Sequence, residues 1–83
     1  MDIQQLKYFL DVAQTEHMTK SAKRLNIAQP ALSRSVSRLE HELGVSLFDR
    51  EGRGLRLTDE GRLFQRKLMP LLNEFDSLCQ EVK

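Results

Sequence analysis

Ala28-Gln29-Pro30-Ala31-Leu32-Ser33-Arg34-Ser35-Val36-Ser37-Arg38-Leu39-Glu40-His41-Glu42-Leu43-Gly44 reads as one helix with two unlike faces. At about 100° per residue, Leu32, Val36, Leu39 and Leu43 fall on a narrow stripe, while Pro30, Ser33, Arg34, Ser37 and His41 point the other way. One face packs; the other is free to read a surface. That polar face carries Arg34 and Arg38 and no acid before Glu40, the pattern of a helix lying against a polyanion. Gln29, Ser33 and Arg34 sit in its first turns, with donors and acceptors that match base edges and phosphates. The segment is a candidate recognition helix.

Upstream, Ile3, Leu6, Phe9, Leu10 and Ala13 keep helical spacing, and Asp2 is placed as an N-cap. Thr19 offers a second N-cap before a short helix holding Ala22 and Leu25, and Asn26-Ile27-Ala28 is a brief turn. Pro30 falls in the first turn of the third helix, where its missing N–H is harmless. Two short helices joined so tightly make a helix-turn-helix, whose second member enters the major groove of DNA.

After Gly44 the period changes. Val45 to Arg50 and Leu55 to Thr58 are strand-like runs flanking Glu51-Gly52-Arg53-Gly54, whose glycines suit a hairpin tip. A two-stranded wing behind a helix-turn-helix gives a mainly α, winged-helix fold. Thr58 then caps a long last helix, with Asp59 and Glu60 at the positive end of its dipole. Within it Phe64, Leu68, Leu71, Phe75, Leu78 and Val82 are spaced by four, three, four, three and four residues, with Leu72 and Cys79 beside them. This is the heptad seam of a helix that pairs with another helix. Pro70 removes the backbone bond to the Arg66 carbonyl, so a kink is expected there. The expected division is 1–57 for the winged helix-turn-helix and 58–83 for a linker and dimerisation helix.

Eighty-three residues make one domain, too small to hold a deep substrate cavity beside its core. The net charge of +1 is nearly neutral, but its distribution is not. Lys20, Lys23, Arg24, Arg34 and Arg38 lie between His17 and Leu39 without one Asp or Glu, and Arg50, Arg53 and Arg56 follow with only Glu51 among them. Acids collect at Glu40, Glu42, Asp59, Glu60, Glu74, Asp76 and Glu81. A charge run of this kind usually marks only a solvated face and gains meaning from its placement on a reading fold. Cys79 stands alone, which excludes an internal disulfide and a cysteine-based metal site. The N-terminus lacks the basic start and apolar run of a signal peptide, and no stretch is apolar enough to span a bilayer, so a cytoplasmic protein without membrane contact is expected.

The sequence resembles the DNA-binding domain and linker helix of the LysR-type transcriptional regulators. The resemblance is carried by Ala22 and Leu25, by Gln29-Pro30-Ala31-Leu32-Ser33-Arg34, by Leu39-Glu40-His41-Glu42-Leu43-Gly44-Val45-Ser46-Leu47-Phe48-Asp49-Arg50, and by Leu57-Thr58-Asp59-Glu60-Gly61. It covers essentially the whole chain. It implies a bacterial regulator domain that binds double-stranded DNA sequence-specifically, as a homodimer through the linker helix on a pseudo-palindromic site. The recognition helix, about residues 29–43, would lie in the major groove with Gln29, Pro30, Ser33 and Arg34 at base edges. Arg53, between two glycines, resembles a wing-tip arginine that enters a minor groove, where narrow A·T segments attract cations. Effector binding would belong to a C-terminal domain absent from this chain. The chain departs from the family at Ala28, where Ser or Thr usually caps the third helix and touches a phosphate. The lost cap costs about 1 kcal/mol, and either Asn26 or a phosphate could replace it.

Other residues carry bland readings beside the functional ones. Thr19, Lys20 and Arg38 read equally as phosphate contacts or as solvated side chains, and Ser37 shares the exposed face. Arg50 reads equally as a contact or as an internal partner of an acid such as Glu40. His17 and His41 are surface histidines rather than ligands, since neither has a metal-ligand partner at helical spacing. Cys79 is an interface residue or the half of an intermolecular disulfide. No cofactor or metal is expected. Catalysis has no support, because the serines lack an adjacent base, no carboxylate pair marks a cleft and no glycine-rich phosphate loop is present. A winged helix used only for protein assembly would explain the heptad but not the acid-free face.

Overall fold

The stripe of Leu32, Val36 and Leu39 is covered by the two helices that precede it. The computed structural model describes every residue but Arg53 and, at Glu51, the backbone alone. Its elements are α1 (Ile3–Thr15), α2 (Met18–Leu25), α3 (Gln29–Leu43), β1 (Phe48–Glu51), β2 (Gly54–Leu57) and α4 (Asp59–Val82). Helices α1, α2 and α3 pack pairwise against one another. The two strands form an antiparallel ribbon in which Phe48 faces Leu57 and Glu51 faces Gly54. This is the winged helix-turn-helix expected from the pattern.

Local chemistry fixes most boundaries. Asp2 accepts from the Gln5 N–H at 2.8 Å and starts α1. Gly44 ends α3 at φ +74, a left-handed conformation that costs glycine nothing. Thr58 accepts from the Gly61 N–H at 2.9 Å and starts α4, whose first turn holds Asp59 and Glu60.

Three local expectations are corrected. The N-cap of α2 is His17, not Thr19: His17 is extended and its Nδ1 accepts from the Lys20 N–H at 3.2 Å, so the helix starts at Met18, which is buried. Asn26 does not cap α3, because it is spent as the left-handed C-cap of α2; Ala28 has no side-chain cap bond. The strands lie nearer the tip than the expected runs: β1 has four residues instead of six, β2 keeps four, and Glu51 and Gly54, expected in the tip, form the last rung. Val45 and Ser46 belong to the turn after Gly44, and Thr58 is drawn off to α4 while its N–H still donates to the Leu47 carbonyl at 3.0 Å.

The core centres on Phe9. Its ring meets Phe48 of β1 at 5.6 Å and Phe64 of α4 at 5.2 Å, both tilted, so one residue of α1 joins the wing and the last helix to the bundle. Leu68 and Leu72 of α4 are buried in the same cluster. The apolar residues of α4 therefore do not form one seam. Phe64, Leu68 and Leu72 turn toward the chain's own core, while Leu71, Phe75, Leu78 and Val82 are exposed. The core thus runs across the 57/58 boundary. Helix α4 continues through Pro70 as one helix. No helix among the described residues is long and apolar enough to cross a membrane.

Candidate nucleic-acid interface

The face of α3 that does not pack on α1 and α2 presents Gln29, Pro30, Arg34, Ser37 and Arg38, all exposed, with Ser33 half-buried beside them. The Gln29 side-chain amide donates to the Ser33 hydroxyl at 3.2 Å, which holds these two first-turn groups together. Ala28 is exposed at the N-cap. On the neighbouring helix Thr19 and Lys20 are exposed, Thr19 as a residue of the first turn rather than its cap.

Among the chain's described cations, some are tied to acids and others are not, on this side as on α4. Arg24 is bound to Asp11 at 3.0 Å, Lys7 to Asp76 at 3.2 Å and Arg62 to Asp59. Among the described residues no ion pair engages Lys20, Arg34 or Arg38. Helices α2 and α3 both lack an acid in the first turn, in contrast to α4. As in α1, no first-turn carboxylate offsets the positive ends of their dipoles.

A cleft of about 210 Å³ joins the start of α2, the start of α3 and the wing. Glu16, His17, Thr19, Gln29, Arg50, Gly52 and Gly54 line it. It brings together Thr19 and Gln29, which the sequence singles out, with Arg50, for which it leaves two readings. Pairing of Arg50 with Glu40 is not observed: the Glu40 carboxylate accepts instead from the Leu47 and Phe48 N–H groups, at 2.6 and 3.2 Å. Sequence reasoning passes over His17 as a structural residue of this rim, because histidine ranks outside the usual N-cap residues. The wing-tip expectation for Arg53 lies outside the described residues. Among those described, no group of three His, Cys, Asp or Glu is placed to hold a metal.

A second surface lies on α4. Leu71, Phe75, Leu78 and Val82 form an exposed apolar row, with Cys79 exposed beside it. On the same helix Leu63 joins Val45 and Leu43 around a depression.

Fold and surface together define a winged helix-turn-helix domain with a basic, unpaired reading face. The chain belongs to the lysR family of bacterial regulatory helix-turn-helix proteins, whose family model matches residues 3–62. It is 46% identical over 83 residues to the uncharacterized HTH-type transcriptional regulator YybE of Bacillus subtilis, covering all of this chain and 28% of that protein. It is 39% identical over 83 residues to the HTH-type transcriptional regulator BenM of Acinetobacter baylyi, covering 27% of it. The chain thus spans under a third of the length of these relatives. Among solved structures, it is similar to the DNA-binding domain of BenM in complex with catB site 1 DNA, with a TM-score of 0.93 and 38% identity over 99% of this chain and 91% of that one. Full-length CbnR complexed with its target DNA gives a TM-score of 0.91 and 36% identity over 99% of this chain and 28% of that one.

Proposed function

We propose that this chain is the sequence-specific, double-stranded-DNA-binding part of a bacterial transcription regulator, acting as a homodimer on a two-fold-related site. The observation that carries the reading is the pair of exposed arginines, Arg34 and Arg38, without ion-pair partners and one turn apart on the face of α3 that also holds Gln29 and Ser33. Helix α3 lies in the major groove, with Gln29, Pro30, Ser33 and Arg34 at base edges. Thr19, Lys20, Ala28, Ser37 and Arg38 border the phosphates, and the wing brings Arg53 to a minor groove. The solved DNA complexes of BenM and CbnR support the reading by their similarity to this fold.

Dimerisation is assigned to residues 58–83, through the exposed row Leu71, Phe75, Leu78 and Val82 with Cys79 at its side. Phe64, Leu68 and Leu72 support that row from within the chain's own core. The domain acts in the cytoplasm without enzymatic activity or cofactor, and any response to a small molecule resides outside these residues.

Enrichment of random duplexes on the purified chain, followed by sequencing and titration at several salt concentrations, tests the reading. A two-fold-related consensus is expected, with affinity that falls steeply with salt. Recovery of no consensus, with binding insensitive to salt, would leave α4-mediated assembly as the function.

A further inference from the structure

Two carboxylates come from the helical part of the fold to the base of the wing, one to each of its outer edges. Phe48 and Leu57 face each other at the basal rung of the ribbon. In an antiparallel pair, alternate rungs direct their N–H groups outward rather than across. On this rung both amides are so directed. The Phe48 N–H donates to Glu40 Oε2 at 3.2 Å, and the Leu57 N–H donates to Glu16 Oε2 at 2.9 Å. Glu40 also accepts from the Leu47 N–H at 2.6 Å, so one oxygen holds two successive amides. The next contact below, Thr58 N–H to the Leu47 carbonyl at 3.0 Å, runs across the ribbon as the alternation requires.

The two acids are anchored where it matters for reading. Glu40 projects from the later turns of α3. Glu16 is the C-cap of α1 in the left-handed conformation, φ 51, immediately before the His17 cap of α2. A two-stranded ribbon has two open edges and little stability of its own. Bonds to ionised acceptors are stronger than neutral ones. Bracing one edge from α3 and the other from the C-cap of α1, just before α2, ties the wing to the recognition helix and its neighbours.

We propose that Glu16 and Glu40 are positioning residues that set the wing against the recognition helix, and that they act on the minor-groove flank rather than on the bases read by α3. The proposal rests on the DNA-binding reading above. Glu40, half-buried and holding two amides, carries more of this effect than the exposed Glu16.

The test uses the whole chain with Glu40→Gln, Glu16→Gln and the double substitution. In free protein, amide hydrogen exchange should quicken by about tenfold or more at Leu47, Phe48 and along the wing in Glu40→Gln, with α3 amides unchanged, as expected for a local opening. On duplexes that share a half-site but differ in A·T or G·C flanks, the flank preference should shrink toward one in Glu40→Gln and in the double variant. Discrimination among half-site bases should stay as in the unmodified chain. Glu16→Gln should give the same pattern in smaller measure. Exchange unaltered at Leu47 and Phe48, flank preference unaltered, or equal loss of flank and half-site discrimination would each overturn the proposal. So would loss of cooperative thermal unfolding in Glu40→Gln combined with no effect of Glu16→Gln, since Glu40 would then serve the fold as a whole. If the unmodified chain binds no duplex, the DNA-binding reading fails by itself, and the exchange pattern alone decides whether the brace exists.

Discussion

A Cβ placed on Gly61 would stand 2.1 Å from the carbonyl oxygen of Leu47 and 2.9 Å from a methyl carbon of Leu57. The first turn of α4 therefore lies directly on the backbone at the root of the wing, and only glycine permits the approach. Gly61→Ala should gain up to about 1 kcal/mol of helix propensity and lose more than that. Relieving a backbone clash costs about 1 to 3 kcal/mol or more. The expected outcome is a lower urea midpoint, checked by equilibrium unfolding followed by circular dichroism; an unchanged or higher midpoint would show that α4 can shift without cost.

Ala28 offers the opposite case, a position where a better residue is available. It has the extended geometry of an N-cap, φ −68 and ψ 136, but no side-chain bond. Pro30 has no N–H, so a cap must serve the Ala31 N–H, which now reaches only the Ala28 carbonyl at 3.0 Å. Ala28→Ser should raise stability by about 0.5 to 2 kcal/mol, read as a higher melting temperature.

Arg34 and Arg38 should separate in their effects on binding. Arg34→Ala should weaken the preferred duplex by about 1 to 3 kcal/mol and relax preference at one base position. Arg38→Ala should weaken all duplexes alike and lower the salt slope by about one. Titrations against a panel of single-base variants at several salt concentrations check this division; equal, sequence-independent losses from both would contradict it.

The division of α4 into an inner and an outer row predicts two different failures. Leu71→Asp with Leu78→Asp alters exposed positions and should give a folded monomer by sedimentation. Leu72→Asp buries a charge in the core and should unfold the chain, because an unpaired buried carboxylate costs far more than a domain this small can offset. A folded Leu72→Asp chain would mean that α4 does not belong to the core.

The stripe of α3, the Asp2 and Thr58 caps and the order of the elements are readable in the sequence because each is a local signal within a few residues. Three features are not. Gln5 is buried and its side-chain amide donates to the Ser35 carbonyl at 3.0 Å, but a glutamine next to an apolar stripe gives no sign of a partner 30 residues away. The carboxylates of Glu16 and Glu40 are equally silent, since backbone amides accept any sequence as their bearer. In α4 the heptad period is readable, yet Phe64 and Leu68 fall in the same register as Leu71 and Phe75. Period alone does not say which apolar residues the chain's own core takes up. On the reading face, the placement of Arg34 and Arg38 beside Gln29 and Ser33 on the side of α3 left open by α1 and α2 depends on the fold.

From Asn73 onward every residue of α4 is exposed, and the molecule extends 45 Å along its longest axis. These turns continue a helix already nucleated in the core, but beyond the Lys7–Asp76 pair their exposed apolar row adds no packing, so they open more readily than the buried turns. The order of this projecting arm is accordingly tied to whatever covers its apolar row. Under the proposed pairing of two chains along that row, fraying of these last turns and association are linked by mass action, so helix content should rise with protein concentration.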